Sequence, residues 1–384
     1  VFQPSDAIAR VQAASLRSGN RPGLNVVSLA MGEPDFDTPE EVTAAAVDAL
    51  HAGYTHYALP MGDEELRAAL AAHVSRVAGV RYAAEQIVIT HGGTAGLSAT
   101  ILATVNPGDR VVIPEPSYSL YADLVRMVGG MPVFVPTLPD YHLDLERIAE
   151  AVVGARLLVL CNPCNPTGAV YSADELKRLA ELLDGSETLL LSDEAYDTIV
   201  YDGRKFNSAL SIASLQPRLV YCQTLSKAYA MTGWRIGYVA APSQMIGSIA
   251  LAHRTLNGSA NAAVQRAALA AVRLGPEASN VMLDAYARRR ALVAREIASI
   301  PGLSGRPPEG TFYAFVRYDL EMPARELTAR LLEGGVAVRP GSEFGPSGEG
   351  HLRLSFAASE EQILEGFARL RAVLQAQRAS IAAR

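Results

Sequence analysis

Thr224-Leu225-Ser226-Lys227-Ala228-Tyr229-Ala230-Met231-Thr232-Gly233-Trp234-Arg235-Ile236-Gly237-Tyr238 is the stretch around which the chain is organised. The apolar residues Leu219, Val220 and Tyr221 lead into it as a strand and deliver two hydroxyls, Thr224 and Ser226, beside a lone lysine, Lys227. Small and flexible residues follow as far as Gly233, and Arg235 heads another apolar run. One amine beside hydroxyls, with a fixed cation further on, suits a group that carries both an aldehyde and a phosphate. The amine forms a Schiff base, and the hydroxyls and guanidinium hold the phosphate. A solvated lysine and arginine at the ends of a loop would share this pattern, so the flanking chain has to decide.

Upstream, apolar runs at 87–90, 110–113, 132–135, 156–160 and 189–192 read as buried strands, with helical spacing between them. Strands separated by helices imply a parallel sheet whose site lies at the strands' carboxyl ends. Thr90, Asn165, Asp193 and Thr224 all fall at such ends. After the first strand, His91-Gly92-Gly93-Thr94-Ala95-Gly96 opens a helix, and free backbone N–H groups there attract an anion. The spacing does not match the G-x-G-x-x-G of a nicotinamide site. Asn162-Pro163-Cys164-Asn165-Pro166-Thr167-Gly168 is a loop pinned by two prolines, whose asparagine amides can point into a site. Towards the N-terminus, helical spacing spans 6–18, a short strand spans 26–30, and Thr38 with Pro39 reads as the start of a helix. Beyond Tyr238 the chain turns helical, with a long helix expected over 277–300. Short strands at 312–317, 336–339 and 351–356 then mark a second, α+β lobe.

Composition narrows the function. The chain has 384 residues, which points to two lobes. A net charge of −6 without a basic run argues against nucleic acid as a partner. Neither a signal peptide nor a membrane span is expected, and a cytoplasmic location is. The three cysteines cannot make a disulfide framework. Cys161 and Cys164 form a C-x-x-C without a second ligand pair, so they are expected to fill a strand end and a turn, and no metal is expected.

With these residues placed, the chain resembles the class I/II aminotransferases, pyridoxal-phosphate enzymes of the aspartate aminotransferase fold. The resemblance runs from Gly32-Glu33-Pro34-Asp35-Phe36 to Arg353-Leu354-Ser355-Phe356-Ala357 and includes Asn165-Pro166-Thr167-Gly168, Asp193-Glu194-Ala195-Tyr196 and Ser226-Lys227 with Arg235. It implies an α/β fold: a large domain with a mainly parallel seven-stranded sheet sandwiched by helices, and a smaller α+β domain. The expected division is an N-terminal arm with part of the small domain (1–40), a large cofactor-binding domain (41–280) and a small domain (281–384).

The resemblance also implies roles. Lys227 would be the Schiff-base lysine for pyridoxal 5′-phosphate and the base that moves the proton. Asp193 would pair with the pyridine N–H, and Asn165 and Tyr196 with the ring's 3′ oxygen. Tyr118 would stack on the ring. Gly93, Thr94 and Ala95, with Thr224, Ser226 and Arg235, would hold the phosphate. Arg353 would grip the substrate α-carboxylate beside Gly32 and Asn165. Tyr57 matches a tyrosine that reaches the phosphate of a neighbouring subunit, which implies a homodimer with shared sites.

The implied reaction is a ping-pong exchange of an amino group between an L-amino acid and a 2-oxo acid. A C–S lyase or amino-acid oxidase of the same fold is the alternative. In an aspartate-using branch of the family, a lysine on the helix after the glycine turn meets the substrate's distal carboxylate. Residues 97–104 carry no cation, so a neutral or aromatic side chain is expected, with Phe36, Tyr118 and Phe344 near the mouth. An aspartate- or glutamate-specific enzyme would need an arginine from elsewhere, such as Arg254 or one from a partner subunit.

Overall fold

The computed structural model describes residues 2–16 and 25–382. Its main sheet has seven strands in the order Ile87–Thr90, Gly237–Ala240, Leu219–Thr224, Leu189–Asp193, Leu157–Cys161, Arg110–Glu115 and Met131–Pro136. Gly237–Ala240 runs antiparallel to both its neighbours, and all the other pairings are parallel. Inner strands such as Leu157–Cys161, Leu219–Thr224 and Gly237–Ala240 are buried on both faces, which is why they read as continuous apolar runs rather than as alternating ones.

Helices Glu64–Ala78, Gly92–Thr104, Ala173–Leu183 and Ala262–Leu274 pack their apolar residues into the same core. Local chemistry starts several of them. The Asp63 carboxylate accepts from Leu66 N, and Ser172 with Glu175 forms a reciprocal capping box. Pairing register brings the strand ends level: Asp193 lies opposite both Cys161 and Cys222, and Gly237 lies opposite both Thr224 and Thr90. The residues that follow these ends therefore converge on one edge of the sheet.

A second core gathers the C-terminal part of the chain. Its antiparallel sheet has the order Arg339–Pro340, His351–Ser355, Tyr313–Tyr318, Leu303–Ser304. Helices Asn280–Ser299, Ala324–Glu333 and Glu360–Ala382 flank it. The chain's beginning returns here, because Val27–Ser28 pairs in parallel with Val336–Ala337 and Leu29 is buried in this core. Tyr196, Ile199 and Tyr201, just past Asp193, are buried in it too.

Four local expectations need correction. The first described helix is Asp6–Ala14, and residues 17–18 of the expected one lie outside the described residues. Thr38 does not cap a helix. Pro39 takes that position before Glu40–His51, while Thr38 Oγ1 donates to Ala230 O (2.8 Å) and accepts from Trp234 Nε1 (2.9 Å). Thr38 thus ties the Gly32 loop to the 224–238 stretch. The expected 26–30 strand pairs only over Val27–Ser28. The long helix, Asn280–Ser299, is preceded by a separate 3₁₀ turn, Pro276–Ser279, and Gly275 at φ +79° divides that turn from the helix Ala262–Leu274 before it.

Candidate active site

Lys227 lies one turn beyond the strand Leu219–Thr224, on the short helix Leu225–Ala228. Its Nζ donates to Gly32 O at 2.6 Å. Burial pushes its amine down to about 8; Glu33 works against that, and Arg235 and Arg353 add to it. A Cβ on Gly32 would collide with the Tyr313 hydroxyl, so only glycine lets this carbonyl come so close. Asp35 steadies the same loop through a two-pronged pair with Arg289, both contacts at 2.7 Å.

Asp193 ends the neighbouring strand, so its carboxylate opens at the sheet edge beside Lys227. The Tyr121 hydroxyl donates to its Oδ2 at 2.6 Å and Ala195 N to its Oδ1 at 3.3 Å. Burial pushes the Asp193 carboxyl up, while these two donors and the Lys227 charge pull it back. Tyr196 OH and Tyr313 OH lie 2.9 Å apart. Tyr118 stands edge-on to Tyr121, with ring centroids 5.6 Å apart.

The glycine turn faces Arg235. Gly92 holds φ +75°, and a Cβ there would lie 2.7 Å from Arg235 Nη2. Arg235 itself adopts φ +55° and donates through Nη1 to Thr232 O. Thr224 Oγ1 and Ser226 Oγ lie 2.8 Å apart below the start of helix Gly92–Thr104. Two hydroxyls, a guanidinium and a helix N-terminus make one anion-attracting corner.

At the opposite wall, Arg353 on His351–Ser355 donates to Asn165 Oδ1 (3.0 Å) and to Ala30 O (2.7 Å). Its guanidinium carbon lies 4.2 Å from the Tyr313 ring centroid and 5.0 Å from that of Phe344. Its Nε is buried and has no hydrogen-bond partner among the described residues.

These groups line one cavity of about 550 Å³. Gly32, Gly93, Thr94, Tyr118, Asn165, Asp193, Tyr196, Thr224, Ser226, Lys227, Arg235 and Arg353 all face it. Ala95 is buried one residue further into its helix, and Tyr57 is 99% exposed; neither lines the cavity. Phe344 is at the wall as expected, but Phe36 is not: it packs edge-on to Tyr286 and under Arg289. Arg254 is exposed on helix Ser243–Asn257, away from the cavity. Cys161 and Cys164 are buried free thiols at a strand end and in a turn, and among the described residues no cluster could hold a metal.

Sequence reasoning missed Tyr121, Tyr313 and Arg339, which also line the cavity. Tyr121 was within reach, since it follows Tyr118 by one helical turn. Tyr313 and Arg339 had no local signal, because each comes to the site from the second core.

A family model described as aminotransferase class I and II matches residues 25–370. The chain belongs to the class I and II aminotransferases. The aspartate/prephenate aminotransferase of Thermus thermophilus is 39% identical over 381 residues, 96% of each chain. The solved aromatic aminotransferase of Pyrococcus horikoshii superposes with a TM-score of 0.90 at 33% identity, covering 97% of this chain and 99% of that one. The N-succinyldiaminopimelate aminotransferase of Mycobacterium tuberculosis superposes with a TM-score of 0.86 at 30% identity, covering 91% and 94%. This aminotransferase therefore moves an amino group between an amino acid and a 2-oxo acid. Its relatives are named for quite different side chains, so the cavity's own residues must decide which are accepted. Among the described residues no helix is long and apolar enough to cross a membrane.

Proposed function

We propose that this aminotransferase works with pyridoxal 5′-phosphate held in the cavity, and that its amino donor carries a neutral or aromatic side chain. The single observation that carries the reading is the placement of Lys227, Asp193, Arg353 and the hydroxyl–guanidinium corner around one cavity. The residues fit the group. Thr224, Ser226, Arg235 and the backbone at Gly93–Ala95 would hold the phosphate, Tyr118 would cover the ring, and Asn165 and Tyr196 would meet its 3′ oxygen. The cofactor, when bound, supplies an electron sink for the substrate's Cα–H bond.

Lys227 is the group that would hold the cofactor's aldehyde carbon and move the proton at Nζ. An amine brought down to about 8 is close to the working range of a general base. Asp193 would stand against the ring nitrogen and hold its proton there. A cation placed at Asp193 compensates the burial that now pushes its carboxyl up. Arg353, whose side chain lines the cavity, would bind the substrate α-carboxylate as a planar fork. The neutral-donor reading rests on helix Gly92–Thr104, which carries no cation, and on Leu97 and Phe344 at the cavity wall. A distal carboxylate against those groups alone would lose its solvation.

Mixing the loaded enzyme with one L-amino acid and no 2-oxo acid tests the reaction type. One equivalent of the matching 2-oxo acid should appear, with loss of the yellow absorbance and no ammonia. Ammonia release would instead favour the lyase or oxidase chemistry available to the same fold.

A further inference from the structure

A second guanidinium shares the wall that holds Arg353. Arg339 pairs directly with Arg353 across the antiparallel strands Arg339–Pro340 and His351–Ser355. Residues directly opposite each other on such a pair leave the sheet on the same face, with Cβ atoms about 5 Å apart. Both arginines line the cavity.

Arg339 is also anchored. Its Nε lies 2.8 Å from Glu343 Oε2, and Glu343 is only 1% exposed. A buried carboxylate is costly without a partner, so this pair holds the guanidinium at the wall rather than letting it sweep through solvent. The support is stiff. Glu343 sits on the 3₁₀ turn Gly341–Phe344, where a Cβ on Gly341 would collide with Gly348 O and one on Gly345 with the Glu115 carboxylate. The glycine-turn helix offers no cation, and Arg235 belongs to the anion corner. Arg325 also lines the cavity, but it is exposed and donates to Leu16 O.

We propose that Arg339, anchored by Glu343, is the specificity residue that receives the side-chain carboxylate of a dicarboxylic substrate whose α-carboxylate is on Arg353. The inference rests on the role proposed above for Arg353. It reconciles a cavity with apolar walls with a ping-pong cycle in which one pocket serves two substrates. A neutral side chain lies against Leu97 and Phe344, and an acidic one reaches across to Arg339. Arginine suits this task because its planar fork matches a carboxylate and stays charged at every working pH.

The test compares the loaded wild-type enzyme with Arg339→Met, Arg339→Lys and Arg325→Met. Two acceptors are used, 2-oxoglutarate and phenylpyruvate, and glutarate serves as a non-reacting dicarboxylate whose binding is followed by calorimetry. Arg339→Met should lower kcat/KM for 2-oxoglutarate about tenfold more than for phenylpyruvate, roughly 1.4 kcal/mol of selective loss. Glutarate should bind more weakly by a similar factor, and Arg339→Lys should lie between. Equal losses on both acceptors, undiminished glutarate binding, or a larger selective loss in Arg325→Met would each overturn the assignment. If the wild type transfers to neither acceptor, the substrate reading proposed above fails, while the glutarate measurement still decides Arg339 because it needs no turnover.

Discussion

Asp193 shows how much a single residue draws from its surroundings. It ends a strand buried from Leu190 onward, so its carboxylate has little water to hold its charge, and Tyr121 and Ala195 supply two donors in its place. An amide at this position keeps the shape and most of the hydrogen bonding but removes the charge. Asp193→Asn should therefore fold normally and lose turnover by ~10²–10³, the usual scale for removing a preorganised electrostatic partner. The measurement is kcat beside a thermal melt. A loss smaller than about threefold, far below that scale, would mean that another group serves the ring nitrogen. Lys227 follows the same logic with the opposite sign: burial disfavours its ammonium and makes the free amine available near neutrality.

Among the elements, the strand Leu189–Asp193 does more than place Asp193. The next residue, Glu194, turns back into the protein, where its Oε1 accepts from Ser192 Oγ (2.8 Å) and Ala209 N (2.9 Å). Its Oε2 is buried with no hydrogen-bond partner among the described residues. Burial pushes this carboxyl from 4.5 up to about 8. Between those two values the folded protein keeps a proton that the unfolded chain has lost. Glu194 thus contributes stability that is fully present below the lower value and is lost as pH rises through the upper one. Glu194→Gln cannot ionise, so its urea midpoint should decline less across this window than that of the wild type. Parallel slopes for the two proteins would show that Glu194 ionises freely in the fold. The glycine turn is a second case at this scale, since Gly92 is needed both for its positive φ and for the approach of Arg235.

For the whole molecule, Tyr57 poses the main question. It is 99% exposed, sits in a loop with exposed Tyr54 and Leu59, and is absent from its own chain's cavity. An aromatic residue left so bare suits a contact with a second copy. We propose a homodimer in which Tyr57 of one subunit reaches the phosphate corner of the other. Lys227→Ala and Tyr57→Ala should each be inactive or nearly so, yet a co-refolded mixture should recover activity, because some mixed dimers carry one intact site. Light scattering should give twice the chain mass. A fully active monomer, or a mixture with no recovered activity, would rule out shared sites.

Sequence alone determined the sheet, the amino-transfer class and many of the residues that line the cavity. Buried parallel strands read as apolar runs, strand ends in such a sheet must carry the site, and Lys227, Asp193, Asn165 and Arg235 all follow strands or turns that local residues specify. What it could not determine were contacts made by chain far away. Phe36 looked like part of the mouth but faces Tyr286, and Thr38 looked like a helix cap but bridges to Ala230 and Trp234. Arg339 is, in the sequence, only the last residue of a short expected strand. Only strand register sets it opposite Arg353, and only the tertiary burial of Glu343 makes that carboxylate its anchor. Local spacing encodes what a segment becomes; which side chains share a wall depends on how two cores pack, and that is decided by contacts between residues with no common local pattern.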